Sequence, residues 1–548
     1  MLRLPFFYLT IKMLNGQLNN FGSETYLTQV ASYFDIVDNA VKTGDTNKRY
    51  TISTNVSTAP SPPIPEGSWT HIHISSTSDN MCDLYNSYIV AQMDIKPTIG
   101  TSSVAFAKAD GCNKPAVWIG FKDAMDAIEQ YQIVSNGQAI YTQPHAIEES
   151  YITNLATPDT VRNRDIFSKT TVDQIYNRSD CVMTGGLLEI PDGSGPYTPA
   201  QPLKLKLKID IRRFLPLSAI KYLPAFVGNL ELRVKFSTAG LVCLPMPIED
   251  LTGNPYILSK LAAAPPSITT CFTQIGDSFT MYSKIALANS AYTATASSVT
   301  VNVSEMSITE CKSCLACFGI DDGIYQSLIQ RYTGQSLSFP TQTLTFQAMN
   351  GTMGGAGQTK VDLALTSTPR FVDTIFLLFP YTSNNRTCYV NPLLHDFRLS
   401  MGGYGSCPDM PINSYGAYYY EMLQNALNMN NDLMGLNEDV MRSAVLDPTL
   451  DGKEKQTTGI KANDVSNFVL AIPTSVDSTF QQGQTSAAPI TYEFKGSLET
   501  TSMYAKSGVN CTPLMGFLKD SIIAIQLRPN GPPIVAIDEF DITSPGGQ

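Results

Sequence analysis

From Leu203 to Ile211 the chain alternates Leu203, Leu205, Leu207, Ile209 and Ile211 with Lys204, Lys206, Lys208 and Asp210. A period of two places apolar side chains on one face of a strand and charges on the other. Leu230, Leu232, Val234 and Phe236 repeat the pattern against Glu231, Arg233 and Lys235, after a connection punctuated by Pro216 and Pro224. The pattern returns later: Phe468, Leu470 and Ile472 alternate, a loop follows, and then Ile490, Tyr492 and Phe494 alternate. Leu230 and Ile490 are 260 residues apart. A second pair of segments has nearly the same offset. Residues 128–155 read as strand, Asn136-Gly137 turn, strand, Pro144 and a helix-like run; residues 394–423 read as strand, Gly402-Gly403 turn, extended segment, Pro411 and a helix-like run. Gln132 and Arg398 are 266 residues apart. Two landmarks in the same order at nearly one offset predict a duplicated β unit.

Strands are expected at 69–76, 87–94, 116–121, 128–135, 138–142, 203–211 and 230–237, with an insertion over 146–180. The second unit offers strands near 268–273, 278–287, 298–308, 341–348, 371–379, 394–400, 466–472, 490–496 and 521–527, and a helix over Tyr418–Leu446. Residues 1–68 read as an N-terminal arm and linker, with the Pro/Ser-rich TNVSTAPSPPIPEGS at 54–68. Residues 69–250 read as the first β unit and 251–548 as the second with a C-terminal tail, joined through the Pro-rich 245–266. The fold class is all-β, two tandem β-sandwiches with short helices in the loops.

Composition narrows the function. With 43% hydrophobic and 16% charged residues, the chain can bury large cores and leaves a surface of low charge density suited to packing against neighbours. The formal net charge of −11 and the absence of a basic arm argue against general nucleic-acid binding. Eleven scattered cysteines, an odd number, read as free thiols. Pro5–Ile11 is apolar after Arg3, but residues 15–20 offer no small-residue cleavage site, so no secretory signal is expected; Met13 is an alternative start. No run reaches the ~18 apolar residues of a transmembrane helix. Sequons stand at Asn55, Asn177, Asn302, Asn350, Asn385 and Asn510.

Several motifs invite a chemical reading. Cys311, Cys314 and Cys317 have the spacing of an iron–sulfur or zinc half-site but lack a fourth ligand, and their flanks have strand character. His71 and His73 fall on one strand face with no acidic partner nearby in sequence. Lys204, Lys206 and Lys208 with Arg212 and Arg213 could meet phosphate, though lysines on an outer strand face commonly guard against edge aggregation. Asp123, Asp126 and Glu129 have the spacing of an exposed helical turn. Gly351–Gly357 is Gly-rich, without the Lys-Ser/Thr of a phosphate loop. Only His71, His73, His145 and His395 could serve as histidine bases, and no nucleophile elbow or dinucleotide fingerprint occurs. No catalytic, cofactor-binding or metal residue is therefore assigned, and no cofactor is expected.

The segments EQYQIVSNGQAIY (129–141) with HAIEESYITNL, IDIRRFLPLSAIKYLPAFVGNLELRVKF (209–236), VDTIFLLFPYTSNNRTCYVNPLLHDFRLSMGG (372–403) and AIPTSVDSTFQQGQTSAAPITYEF (471–494) give the chain a look. It resembles, over roughly residues 80–530, the double jelly-roll major capsid proteins of eukaryotic DNA viruses, of the Polinton-like virus, adintovirus and virophage type. The resemblance implies two jelly rolls side by side and homotrimeric, pseudo-hexameric capsomers tiling an icosahedral virion. The implied partners are copies of the chain, neighbouring capsomers, and penton and minor capsid proteins. It implies no sequence-specific nucleic-acid binding and no catalytic residue, and it leaves membrane contact open. Synthesis in the host cytoplasm and assembly in cytoplasm or nucleus follow from the same resemblance. The competing reading is a secreted or cell-surface β-sandwich adhesin. Low charge and sequons allow it, while the odd cysteine count and missing signal oppose it. An enzyme ranks third.

Overall fold

The computed structural model describes residues 47–54, 63–74, 81–101, 116–156, 184–191, 196–245, 272–288, 291–333, 336–353, 357–369, 372–402, 406–427, 466–474, 489–500, 511–528 and 531–539, with isolated positions between them. The first half contains β1 (Asn47–Thr54), β2 (Ile64–Pro65), β3 (Trp69–His73), β4 (Met81–Thr101), β5 (Ala116–Gly120), β6 (Ile128–Ser135), β7 (Gln138–Gln143), helix α1 (Ala146–Leu155), β8 (Gly185–Glu189), β9 (Leu203–Asp210), β10 (Tyr222–Pro224), β11 (Leu230–Phe236) and β12 (Val242–Pro245). There follow β13 (Thr273–Gln274), β14 (Ser278–Ala288), β15 (Ala291–Gly319), α2 (Asp322–Tyr332), β16 (Ser336–Ala348), β17 (Lys360–Ser367), β18 (Val372–Leu378), β19 (Leu394–Met401), β20 (Ser406–Ile412), α3 (Ala417–Leu427), β21 (Leu470–Pro473), β22 (Ile490–Leu498), β23 (Leu514–Arg528) and β24 (Gly531–Glu539).

The alternation that opens the sequence is realised in burial. Leu230, Leu232, Val234 and Phe236 of β11 are buried, while Glu231, Arg233 and Lys235 between them are only partly so. The β6–β7 hairpin turns on Asn136 and Gly137, both at positive φ (48° and 86°), the geometry that an Asn-Gly pair tolerates best. Gly120 and Gly185 face each other across β5 and β8 because the Trp118 indole lies against them; a Cβ on Gly185 would stand 2.2 Å from that ring.

Strand order defines the architecture. In the second half, β16 to β23 supply eight strands in two sheets, ordered β16-β23-β18-β21 and β17-β22-β19-β20, with β24 added on β23. By position these are strands one-eight-three-six and two-seven-four-five, the order of a jelly roll. The first half repeats it: β3-β11-β6-β7 is two-seven-four-five, and β12-β5-β8 is eight-three-six. The place of strand one beside β12 is taken by β13, from later in the chain. The chain is thus an all-β double jelly roll.

The duplication follows the sequence landmarks. β6 and β19 are each eight residues long and begin 266 residues apart, and β11 and β22 are both strand seven. One expected match differs. Leu203–Asp210, paired in the sequence with 466–472, adds to β4 instead, and the counterpart of β21 is β8.

A further sheet, unlike anything in the second roll, gathers β1, β2, β4, β9, β10, β14 and β15. The strands expected at 87–94 and 298–308 are short stretches of β4 and of the 29-residue β15. Because β13 joins β12 and β15 joins β4, residues 273–319 share the sheets of the first roll, beyond the division expected at 250. Of the join expected over 245–266, residues 246–266 lie outside the described residues, as does 428–446 of the helix expected over 418–446.

Candidate functional site

Among the described residues the chemical motifs form ion pairs and buried hydrogen bonds. Along β15, Cys311 and Cys317 are buried and Cys314 is partly exposed, opposite Ala91, Cys82 and Tyr88 of β4 respectively. An extended strand spreads three sulfurs at this spacing instead of gathering them, and among the described residues no group of three His, Cys, Asp or Glu could hold a metal. The two strand histidines do find an acid, from a strand that sequence proximity could not reveal: Glu231 of β11 lies 3.6 Å from His71 and 3.7 Å from His73. Partial burial alone would raise the Glu231 carboxyl. The Asn229 hydrogen bond, both histidines and Arg233 outweigh it and hold the carboxyl below its usual range. Lys208 and Arg212 each lie 3.7 Å from Asp210, so part of the basic row is internally paired. α3 packs into the second core through Tyr419, Leu423, Ala426 and Leu427.

The acidic turn differs from its expected exposure. Asp123 caps a buried single-turn helix, Ala124–Ala127, and Asp126 lies within it; each carboxylate accepts a backbone N–H in a capping box. Arg213 approaches Asp123 at 2.9 Å, and Ser150 Oγ donates to Asp126 at 2.6 Å. Burial, and then the Asp123 charge, push the Asp126 carboxyl upward. This turn lies at a buried polar region, the joint between the rolls.

At that joint α1 is buried at nine of its ten positions. Its Tyr151, Ile152 and Leu155 enter the apolar core of the second roll. Tyr151 donates to the Phe468 carbonyl at 2.8 Å and packs edge-on against Tyr389. Glu148, 1% exposed, receives both Nε and Nη2 of Arg386, which lies between β18 and β19. Burial favours the neutral form of Glu148, but His145 and Arg386 win and hold its carboxyl below the usual range. Its neighbour Glu149 accepts from Tyr131 Oη at 2.8 Å, Gln143 Nε2 at 2.5 Å and the Leu215 amide at 3.2 Å. Burial dominates there and lifts the carboxyl to about 7.

Lys122, buried beside β5, donates to the Thr387 carbonyl at 2.8 Å, Ser466 Oγ at 2.7 Å and Asn467 Oδ1 at 3.1 Å, all in the second half. Gln143 Nε2 also reaches the Leu344 carbonyl at 2.6 Å, and Thr341 Oγ1 reaches that of Pro216 at 2.9 Å. Above these, Ile133, Ile140 and Leu230 face Ile523, Ile525, Val535 and Ile537 around one small apolar cavity. Directional bonds inside an apolar surround fix one mutual orientation of the rolls, because any slip would leave buried polar groups unpaired. No such role was assigned to Lys122, Glu148, Tyr151 or Arg386 from sequence. Their partners lie 238 to 345 residues away, and nothing local marks them.

Four large apolar side chains stand exposed among the described residues: Leu187, Met410, Tyr418 and Ile534, with Met410 at 78% and Tyr418 at 76%.

The molecule is thereby a rigidly joined pair of jelly rolls. No protein-family model and no curated protein matches the chain. Among solved structures it is similar to the mavirus major capsid protein, at 9% identity and a TM-score of 0.48, over 91% of this chain and 93% of that one. The Faustovirus major capsid protein gives 10% identity and a TM-score of 0.41 over 87% and 90%. A chain of the Sputnik virophage gives 9% and 0.40 over 92% and 91%. The jelly-roll assignment itself rests on the strand orders above.

Proposed function

We propose that the chain is a structural building block of a viral capsid, whose unit is a homotrimer with a pseudo-hexagonal outline. The observation that carries this reading is the duplication together with the joint. Jelly rolls serve capsids, lectins and cupins alike, so one roll decides nothing. Here two rolls of the same strand order are locked side by side by buried bonds, as a shell tile requires and as a flexible string of binding modules does not. Three such chains offer six similar edges, and closed rings are the usual way to satisfy heterologous contacts without open fibres.

Low charge fits broad subunit contacts, since interface cores are depleted in charged residues. On this reading the chain resides in the virion after synthesis in the host cytoplasm, contacts neighbouring capsomers and penton and minor capsid proteins, and performs no catalysis. Sequence-specific contact with nucleic acid is not part of it. The division between the units falls after β15 and before β16, since residues 273–319 pair with the first roll.

The adhesin reading gains nothing from the sequon at Asn385, which is buried with its amide bonded to the Cys388 carbonyl at 2.6 Å. Electron microscopy of the purified full chain tests the proposal. Class averages should show six-lobed particles of three copies. Monomeric or irregular particles across salt and pH would overturn it.

A further inference from the structure

Cys317, the last of the three β15 cysteines, stands directly opposite Cys82 of β4 in the antiparallel register. Both side chains are buried in the first roll's core. Opposed residues of an antiparallel pair hold their Cβ atoms about 4.5–5.5 Å apart, against about 3.5–4.5 Å in a disulfide, so closing by about 1 Å joins them. The two thiols already meet: a hydrogen bond with Cys317, and then burial, push the Cys82 thiol well above its ordinary value. Cys311 is six residues back on β15, about 20 Å along an extended strand, and cannot compete for Cys82. The ladder beside the pair is irregular. Cys314 pairs with Tyr88 and Ala316 with Asp83, so residues 84–87 of β4 bulge out. Ser87 Oγ bridges the bulge, donating to the Asp83 carbonyl at 2.6 Å and accepting the Ala316 amide at 3.0 Å. A bulge at this point separates the short ladder of Cys82 and Cys317 from the long one beyond, so the strands can draw together locally. On the other side of Cys82 lies β10, three residues at the edge of the sheet, whose Leu223 pairs with Cys82. Opening of so short an edge strand is a local event that admits a small solute.

We propose that Cys82 and Cys317 are an oxidation site, converted by hydrogen peroxide to a cross-strand disulfide that closes the first roll covalently. The thiolate sulfur of one cysteine attacks a peroxide oxygen. The O–O bond breaks, and the departing hydroxide takes the proton that the thiol released and leaves as water. The second sulfur gives up its proton and attacks the resulting sulfenic acid. The S–S bond forms, the S–O bond breaks, and that hydroxide leaves with the proton as a second water. Two thiols are oxidised by two electrons in all, and one peroxide is reduced to two waters. Cys82 and Cys317 are 235 residues apart, and β5 to β13 lie inside the loop that the bond closes. A disulfide stabilises more the longer the loop it closes in the unfolded chain. Burial makes the pair slow to ionise, which keeps it reduced in a reducing cytosol and demands sustained exposure to oxidant. On the capsid reading the pair is reduced at synthesis and closes once particles have left the cell; the chemistry of the site stands independently of that reading.

The test uses the full chain, reduced, freed of reductant and held in hydrogen peroxide under native conditions. After alkylation in denaturant and digestion, mass spectrometry should find a peptide joining Cys82 to Cys317. The melting temperature should rise by several degrees, and dithiothreitol should reverse both changes. Cys317→Ser should abolish the joined peptide and the rise, whereas Cys314→Ser, which alters the partly exposed neighbour, should keep both. The wild-type peptide map decides the matter even where Cys317→Ser fails to fold. Recovery of both thiols fully alkylated, oxidation of either to a sulfinic acid without a joined peptide, or the same rise in Cys317→Ser overturns the proposal. None of these outcomes bears on the six-lobed particles that test the capsid reading, so the two can fail separately.

Discussion

At the residue scale, adjacent carboxylates on α1 take opposite electrostatic roles because of what each touches. Glu148 meets a guanidinium bidentately and is held ionised. Glu149, one position on, meets only neutral donors and is lifted to about 7 by burial. The consequences for stability have opposite signs. A carboxyl raised on folding stabilises the fold below its unfolded value near 4.5 and loses that contribution as pH climbs through 7. A carboxyl lowered on folding contributes above its unfolded value and loses its contribution in acid. Asp126, also raised, adds to the first effect. Thermal stability should therefore be higher at pH 6 than at pH 8 and fall again in stronger acid. Glu149→Gln, which cannot ionise, should flatten the decline between pH 6 and 8. Scanning fluorimetry across pH checks both, and a wild-type melting temperature that rises from pH 6 to 8 would contradict the assignment.

At the element scale, what was legible followed from how each strand is buried. β11, β19 and β22 have one face in a core and one toward solvent, so their residues alternate and their bounds could be read closely. β8 is five residues, GGLLE, too short and too Gly-rich to carry a period, yet it is the true counterpart of β21. β9 has the clearest alternation in the chain and was therefore matched to the wrong strand; alternation reports a half-buried face, not a position in the topology. The Cys and His motifs were legible as residues, but their three-dimensional neighbours, such as Glu231 beside His71, come from other strands. The reason β8 needs its glycines is testable. A methyl at Gly185 would overlap the Trp118 ring and stand 2.7 Å from the Ile119 carbonyl. Gly185→Ala should cost ~1–3 kcal/mol, the usual range for overpacking, read as a lower midpoint in urea. An unchanged midpoint would show that the β5–β8 pair has room to spread.

At the scale of the whole molecule, the two rolls share their cores as well as a boundary. Tyr151, Ile152 and Leu155 of the first roll belong to the second roll's core. Ile523, Ile525, Val535, Leu337 and Phe339 of the second half belong to the first roll's core. Each roll therefore completes the other's apolar interior, and the buried bonds of Lys122, Glu148 and Gln143 close the seam between them. Separating intact rolls would expose those apolar side chains to water, at about 25 cal/mol for each Å² uncovered, and would strand buried charges without partners. Neither roll should survive the other's unfolding, although chains of this length commonly unfold domain by domain. Calorimetry of the full chain should thus show one transition in which both rolls melt together. Tyr151→Ala with Gln143→Ala, which removes an apolar anchor and a bond to the Leu344 carbonyl, should weaken the coupling and split that transition in two. Two well-separated transitions in the unmodified protein would mean that the rolls are thermodynamically independent and that the seam only orients them.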